Sequence, residues 1–230
     1  SGFEMGKSIA FADEMLDKLL IINNLENLKK QFLNTKFIVV GTNLLAFPKS
    51  AEYLYFILDF AKNFKIKVII DVNWREIFWE NSLMDKNTQF KKVKQFLHNA
   101  DILKLANEEA CIFFDTNDPS EISKVLTRHP DVIITNGENP IKWYLNGIEG
   151  SCAIIKHTSK IIDTTGAGDA FLAGLISRYY CDANLNDHHQ INENIKFASV
   201  CGLLTCFGEG AIEQQPRENS VYKFLEDFGS

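Results

Sequence analysis

The chain has 230 residues, 46% of them hydrophobic and 23% charged, which is ordinary for a globular protein long enough to bury a sizeable core. Its formal net charge of −6 argues against a general nucleic-acid or anionic-membrane binder, while a local cradle on an acidic protein can still hold a phosphate. Five cysteines (Cys111, Cys152, Cys181, Cys201 and Cys206), odd in number and without Cys-x-x-Cys spacing, exclude an obvious disulfide framework or structural zinc site and read as small apolar core residues.

No apolar run is long enough to span a membrane, and residues 1–20 lack the basic-then-apolar order of a signal peptide, so a soluble, cytoplasmic protein is expected. In chain order, Phe37-Ile38-Val39-Val40 reads as a buried strand ending at Gly41-Thr42. Ala51, Leu54, Tyr55, Leu58 and Ala61 repeat at helical spacing within residues 50–63. Strands are predicted at 67–71, 101–105 and 131–135, with helices over 88–98, 107–114 and 119–128, the last capped by Ser120. Strands separated by helices imply right-handed βαβ units and a parallel sheet covered on both faces. The pattern then changes to a hairpin, 141–145 and 151–156, around an Asn146-Gly147 turn. Helices over 167–180, about 189–206 and 218–227 close the chain, and His188-His189 beside Asp187 reads as a solvated loop rather than a metal site.

In such sheets ligands gather at the carboxyl ends of the strands. Asn73 and Arg75 follow the second strand, Asn107 and Glu109 the third, and Thr135 and Gly137 the fourth, so a nucleotide and substrate cleft is expected along that edge. An exposed Arg at a strand end pairs with an anionic oxygen, and Asn serves sugar hydroxyls; a structural Asp71–Arg75 pair is the competing use of the same residues.

The most specific stretch is Asp163-Thr164-Thr165-Gly166-Ala167-Gly168-Asp169-Ala170-Phe171. Small residues let the backbone approach a ligand, and a loop entering a helix N-terminus points free N–H groups and the positive end of the dipole at one spot. That suits a phosphate. An aspartate beside a phosphate is repelled by it, and the chemical reason for placing one there is to take a proton from an attacking hydroxyl.

This nine-residue run resembles the C-terminal signature of the ribokinase-like (PfkB) sugar kinases, and the Asp71-x-Asn73-x-Arg75 pattern with its following Trp resembles the fructokinase and 2-keto-3-deoxygluconate kinase branch. The resemblance runs from about Ser8 to the C-terminus. It implies a single ribokinase-like domain over 1–230, a layered α/β/α fold with a mainly parallel sheet, and ATP-dependent phosphorylation of a sugar hydroxyl. By that resemblance Asp169 is the base, and the amides of Gly166, Ala167 and Gly168 hold the γ-phosphate. Asn73 and Arg75 border the sugar, and Glu109 organises Mg²⁺ through water. Thr135 and Gly137 face the nucleotide phosphates, and Ser199 and Gly202 line the adenine pocket. Carbonyls around Asp163, Thr165, Gly208 and Gly210 take a monovalent cation, K⁺.

The chain also departs from the pattern. Ala106 stands where the family often has Asn, and Pro140 replaces the last Gly of a Thr-x-Gly-x-x-Gly turn. It has no Gly-Gly pair, and nothing before residue 37 reads as a run of core strands, so the first strands and lid are expected to be missing. An exposed sheet edge would follow, with association into a homo-oligomer and weak catalysis from this length. A catalytically silent binding protein of the same fold and a nucleoside kinase are the alternatives.

Overall fold

β-Branched residues without polar alternation suit a strand covered on both faces. Val68, Ile69 and Ile70 meet that description and fill β2 (Lys67–Asp71), where all three are buried. The structure, a computed structural model, describes residues 30, 32–80, 82–181 and 187–229, with backbone alone at 180 and 181. The readings of residues 1–20 and of the stretch around Ser8 fall outside the described residues, as does the side chain of Cys181.

β1 (Phe37–Gly41) pairs in parallel with β2, and β2 pairs in parallel with β3 (Ile102–Ala106), placing Asp71 opposite Lys104. β4 (Asp131–Asn136), β5 (Asn139–Leu145) and β6 (Ile148–Cys152) complete a six-stranded sheet in the order β1-β2-β3-β4-β5-β6. The chain divides inside β4 into two compact units, one ending at Ile134 and the other continuing from Thr135.

In the first unit, α1 (Pro48–Asn63) opens with Pro at its first position, where the missing N–H is not needed. It buries Ala51, Leu54, Leu58 and Ala61, the expected stripe, while Tyr55 stays 41% exposed and meets Phe96 edge-on. α2 (Lys86–Leu97) is capped by Asp85, which accepts from the Thr88 N–H, and α3 (Asn107–Phe114) follows β3 directly. α4 (Pro119–Val125) is shorter than expected, and its cap is Asp118 rather than Ser120. The Asp118 carboxylate accepts from the N–H groups of Ser120 and Glu121, while Ser120 Oγ donates back to it. Asp118 stands just before Pro119 and so is the residue able to reach both orphan donors. Two 3₁₀ turns, Thr42–Ala46 and Glu76–Trp79, carried no periodic signal. The core of this unit gathers Leu45, Ile70, Phe96, Leu103, Ile122 and Ile134.

In the second unit, Asn146 and Gly147 both take positive φ, 49° and 78°, the geometry that lets a two-residue turn follow strand twist. β6 therefore starts immediately after the turn, at Ile148, and ends at Cys152, earlier than the expected strand over 151–156. α5 (Ala167–Cys181), α6 (His188–Thr205) and α7 (Glu218–Phe228) close the chain. His188 and His189 begin α6 instead of lying in a loop, and the Asp187 carboxylate caps it by accepting from the His189 N–H. Phe197, Val200, Val221 and Phe224 form the core here, with Ile155 and Ala170.

Trp143 stands opposite Gly150 across the hairpin. A Cβ at Gly150 would lie 2.3 Å from Trp143 Cζ2 and 2.7 Å from His188 Nε2, so the indole occupies the space of a side chain. Gly150→Ala is expected to lower stability by about 1–3 kcal/mol through overpacking. A urea midpoint equal to that of the unaltered protein would contradict this packing.

Three of the described cysteines are buried and Cys111 is exposed, so the core reading holds for Cys152, Cys201 and Cys206 but not for Cys111. Burial pushes the Cys152 thiol up to about 11 and Cys201 to about 12, which keeps both protonated and unreactive near neutrality. Among the described residues no helix is long and apolar enough to cross a membrane.

Candidate active site

The nine-residue signature lies wholly in the second unit. Gly166 takes φ +80°, a conformation strained for any side chain, and a Cβ there would sit 2.8 Å from Ala211 Cβ and 2.9 Å from Ala211 Cα. Glycine is thus required twice over, by dihedral and by contact. The turn lets α5 begin at Ala167, with the Ala167 N–H donating to the Thr164 carbonyl at 3.2 Å and the Ala170 N–H to the Gly166 carbonyl at 2.9 Å. Gly168 and Asp169 then carry first-turn N–H groups, which a helix does not satisfy through its own ladder. Of the three amides assigned to the anion hole, that of Ala167 is shared with the Thr164 turn. Asp169 is exposed in this first turn.

Asp163 fixes the loop. Its Oδ1 accepts from the Thr165 N–H at 2.9 Å and from Thr165 Oγ1 at 2.7 Å, and its Oδ2 accepts from the Gly210 N–H at 3.2 Å. The four residues assigned to a monovalent cation thus fall on two neighbouring segments, 163–165 and 208–210, joined by one carboxylate. The Ile162 N–H donating to the Cys206 carbonyl at 2.9 Å extends the junction. Hydrogen bonds from Thr165 and Gly210 hold the Asp163 carboxyl below the ordinary carboxylate range. A depressed folded pKa contributes stability that is present above the unfolded value and lost as pH falls through the folded one. The Gly210 amide resonance is therefore expected to move with a midpoint below the usual carboxylate titration. A midpoint at or above that range would contradict the junction.

Gly202 and Ser199 lie on α6. Both are buried, and Ser199 Oγ donates to the Lys196 carbonyl of its own helix at 2.7 Å. A Cβ on Gly202 would lie 2.8 Å from the Ala167 carbonyl oxygen, so α6 approaches the first residue of α5 closely. Thr135 is the half-buried penultimate residue of β4, and Gly137 (φ 54°) starts a two-residue turn into β5. Pro140 sits exposed inside β5, so the expected Thr-x-Gly-x-x-Gly loop is here a strand–turn–strand corner.

The first unit holds the other candidates. Asn73 has φ +37°, and its Oδ1 accepts from Arg75 Nε at 3.1 Å, so the side chains assigned to the sugar contact one another. The alternative Asp71–Arg75 pair does not occur: Asp71 accepts instead from Lys104 Nζ at 3.0 Å, and both side chains are buried. Glu109, third in α3, accepts through Oε1 from the Trp74 N–H at 2.6 Å and through Oε2 from the Ala106 N–H at 2.7 Å. Ala106 has no side chain able to cap, so Glu109 supplies the reciprocal half of a capping box alone. Burial raises the Glu109 pKa, opposed by these two N–H bonds and by the Lys104 charge. The Trp74 ring stacks on Trp79 at 5.3 Å and packs against Phe90 at 5.2 Å and Phe113 at 5.6 Å.

Trp74 and the Asp71–Lys104 pair were not singled out by sequence reasoning. The available signal for the pair was a lysine in the middle of the apolar run Ile102-Leu103-Lys104-Leu105, which a buried strand tolerates only opposite a carboxylate. Among the described residues, no three or more His, Cys, Asp or Glu side chains gather into a metal-holding group. Mg²⁺ retains waters and binds through one or two carboxylates plus substrate phosphates, so it does not depend on such a group.

The model of the family described as "pfkB family carbohydrate kinase" matches residues 12–218. Fructokinase-1 of Oryza sativa subsp. japonica is 30% identical over 190 residues, covering 80% of this chain and 56% of that protein. Fructokinase-1 of Zea mays is 31% identical with the same coverage, so the chain spans about half the length of these curated relatives. Among solved structures, the fructokinase of Xylella fastidiosa with bound ATP superposes with a TM-score of 0.76 at 20% identity, covering 86% of this chain and 64% of that one. The fructokinase of Vibrio cholerae O395 in its fructose-, ADP- and calcium-bound form gives 0.71 at 25% identity, covering 83% and 61%. The fold is ribokinase-like α/β, and with the family model matching most of its length, the chain belongs to the pfkB family of carbohydrate kinases.

Proposed function

We propose that this protein transfers the γ-phosphoryl group of ATP to a hydroxyl of a sugar. The observation that carries the reading is Asp169, exposed in the first turn of α5, directly after a Gly166 turn that only glycine can make. Asp169 takes the hydroxyl proton on a carboxylate oxygen as the new O–P bond forms and the bond to the leaving ADP oxygen breaks. The first-turn N–H groups of α5 and its dipole oppose the negative charge that develops on the transferred group. Gly202 and Ser199 line the adenine pocket, with Gly202 also letting α6 approach the start of α5, and Thr135 and Gly137 border the phosphates. Asn73 and Arg75 bind the sugar.

Mg²⁺, when bound, neutralises phosphate charge, and Glu109 is the carboxylate assigned to its water shell. Segments 163–165 and 208–210, with the carboxylate of Asp163 between them, are assigned to K⁺, whose charge would lie next to the cradle.

The test is ATP-dependent ADP release over fructose, ribose, 2-keto-3-deoxygluconate and adenosine. Release with a sugar is expected. Release with adenosine alone would select a nucleoside kinase, and ATP binding without release on any acceptor would select the silent alternative.

A further inference from the structure

The segment that carries Asn73 and Arg75 is held at three backbone atoms. The Val72 N–H donates to the Lys104 carbonyl at 3.0 Å, and the Val72 carbonyl accepts from the fully buried Thr42 hydroxyl. On the far side of Asn73, the Trp74 N–H donates to Glu109 at 2.6 Å. Asn73 is therefore clamped between two fixed residues in a left-handed conformation (φ +37°) that a free loop would rarely keep. The same Glu109 carboxylate holds the Ala106 N–H with its other oxygen, so one side chain ties the segment after β2 to the start of α3. The Trp74 ring anchors the segment a second time, between Trp79, Phe90 and Phe113.

We propose that Glu109 is a positioning residue that sets Asn73 and Arg75 for the sugar by accepting the Trp74 N–H, a role separate from any part in the Mg²⁺ water shell. The idea rests on the sugar-kinase reading, but its mechanical half does not. A carboxylate facing two N–H donors is the only common side chain that accepts from both with full charge. Glutamine must turn its NH₂ toward one of them. Aspartate keeps the charge but is one methylene too short to span both.

The test uses Glu109→Gln and Glu109→Asp with two readouts. Amide hydrogen exchange at Trp74 is expected to speed up about tenfold in either variant, the worth of one charge-assisted hydrogen bond. The sugar KM is expected to rise about tenfold on the same basis, more than any change in ATP KM or in the Mg²⁺ half-saturation concentration. An unchanged sugar KM with a shifted Mg²⁺ requirement would overturn the proposal, as would unchanged Trp74 exchange. If neither variant folds, exchange in the unaltered protein decides: a Trp74 amide as labile as an exposed loop overturns the clamp, and a protected one supports it. Absence of turnover on every sugar would sink the kinase reading, while Trp74 exchange would still report on Glu109.

Discussion

Asp169→Asn is expected to reduce turnover on the responsive sugar by about 10²–10⁴-fold, the usual worth of a positioned general base, with nucleotide affinity nearly unchanged. The substitution is isosteric. It leaves the Gly166 turn, the Asp163 junction and the first-turn amides of α5 untouched, because none of the hydrogen bonds holding that loop uses the Asp169 side chain. It removes only the ability to take a proton. A matched loss of kcat and kcat/KM would mark an interaction made in the transition state alone. Turnover within a few-fold of the unaltered enzyme would sink the base assignment and move the cradle toward a binding role.

Lys104→Met is expected to destabilise the fold by about 3–5 kcal/mol, the cost of removing one partner from a buried ion pair. Lys104 and Asp71 are 7% and 6% exposed and meet at 3.0 Å, on facing positions of β3 and β2. Removing the ammonium takes the Lys104 counter-charge away from a buried carboxylate. The effect should be smaller in Lys104→Met with Asp71→Asn, since a neutral amide requires less compensation than a carboxylate. Urea denaturation of the single and double variants measures both. A single-variant loss under about 1 kcal/mol would mean the pair behaves like a surface ion pair.

The pair also explains why the site was only partly legible. Strand positions followed from apolar runs, and β1 to β4 lie within a residue or so of expectation because continuous Val/Ile stretches have few other uses. The turn and helix start at 163–171 were readable because small residues ahead of an apolar helical stretch mark a tight turn into a helix. What the sequence did not disclose was long-range tethering. Nothing local says that Glu109 reaches Trp74, that Asp71 prefers Lys104 to Arg75, or that Ala211 fills the space beside Gly166. These contacts pair residues far apart in the chain, and periodicity carries no information about partners. The shortened β6 and the Asp118 cap have local causes: an Asn-Gly turn restarts pairing at once, and a carboxylate ahead of Pro119 reaches donors that a serine inside the helix does not.

The central claim is that residues 163–169 form a phosphate cradle with Asp169 as its base, and a titration of the labelled protein with ATP, followed through backbone amide resonances, tests it most directly. The account predicts saturable shifts that are largest at Gly166, Gly168 and Asp169, with smaller ones at Gly210 through the Asp163 junction, and the same shifts in Asp169→Asn. ATP binding that leaves these amides unmoved while shifting another part of the chain would contradict it.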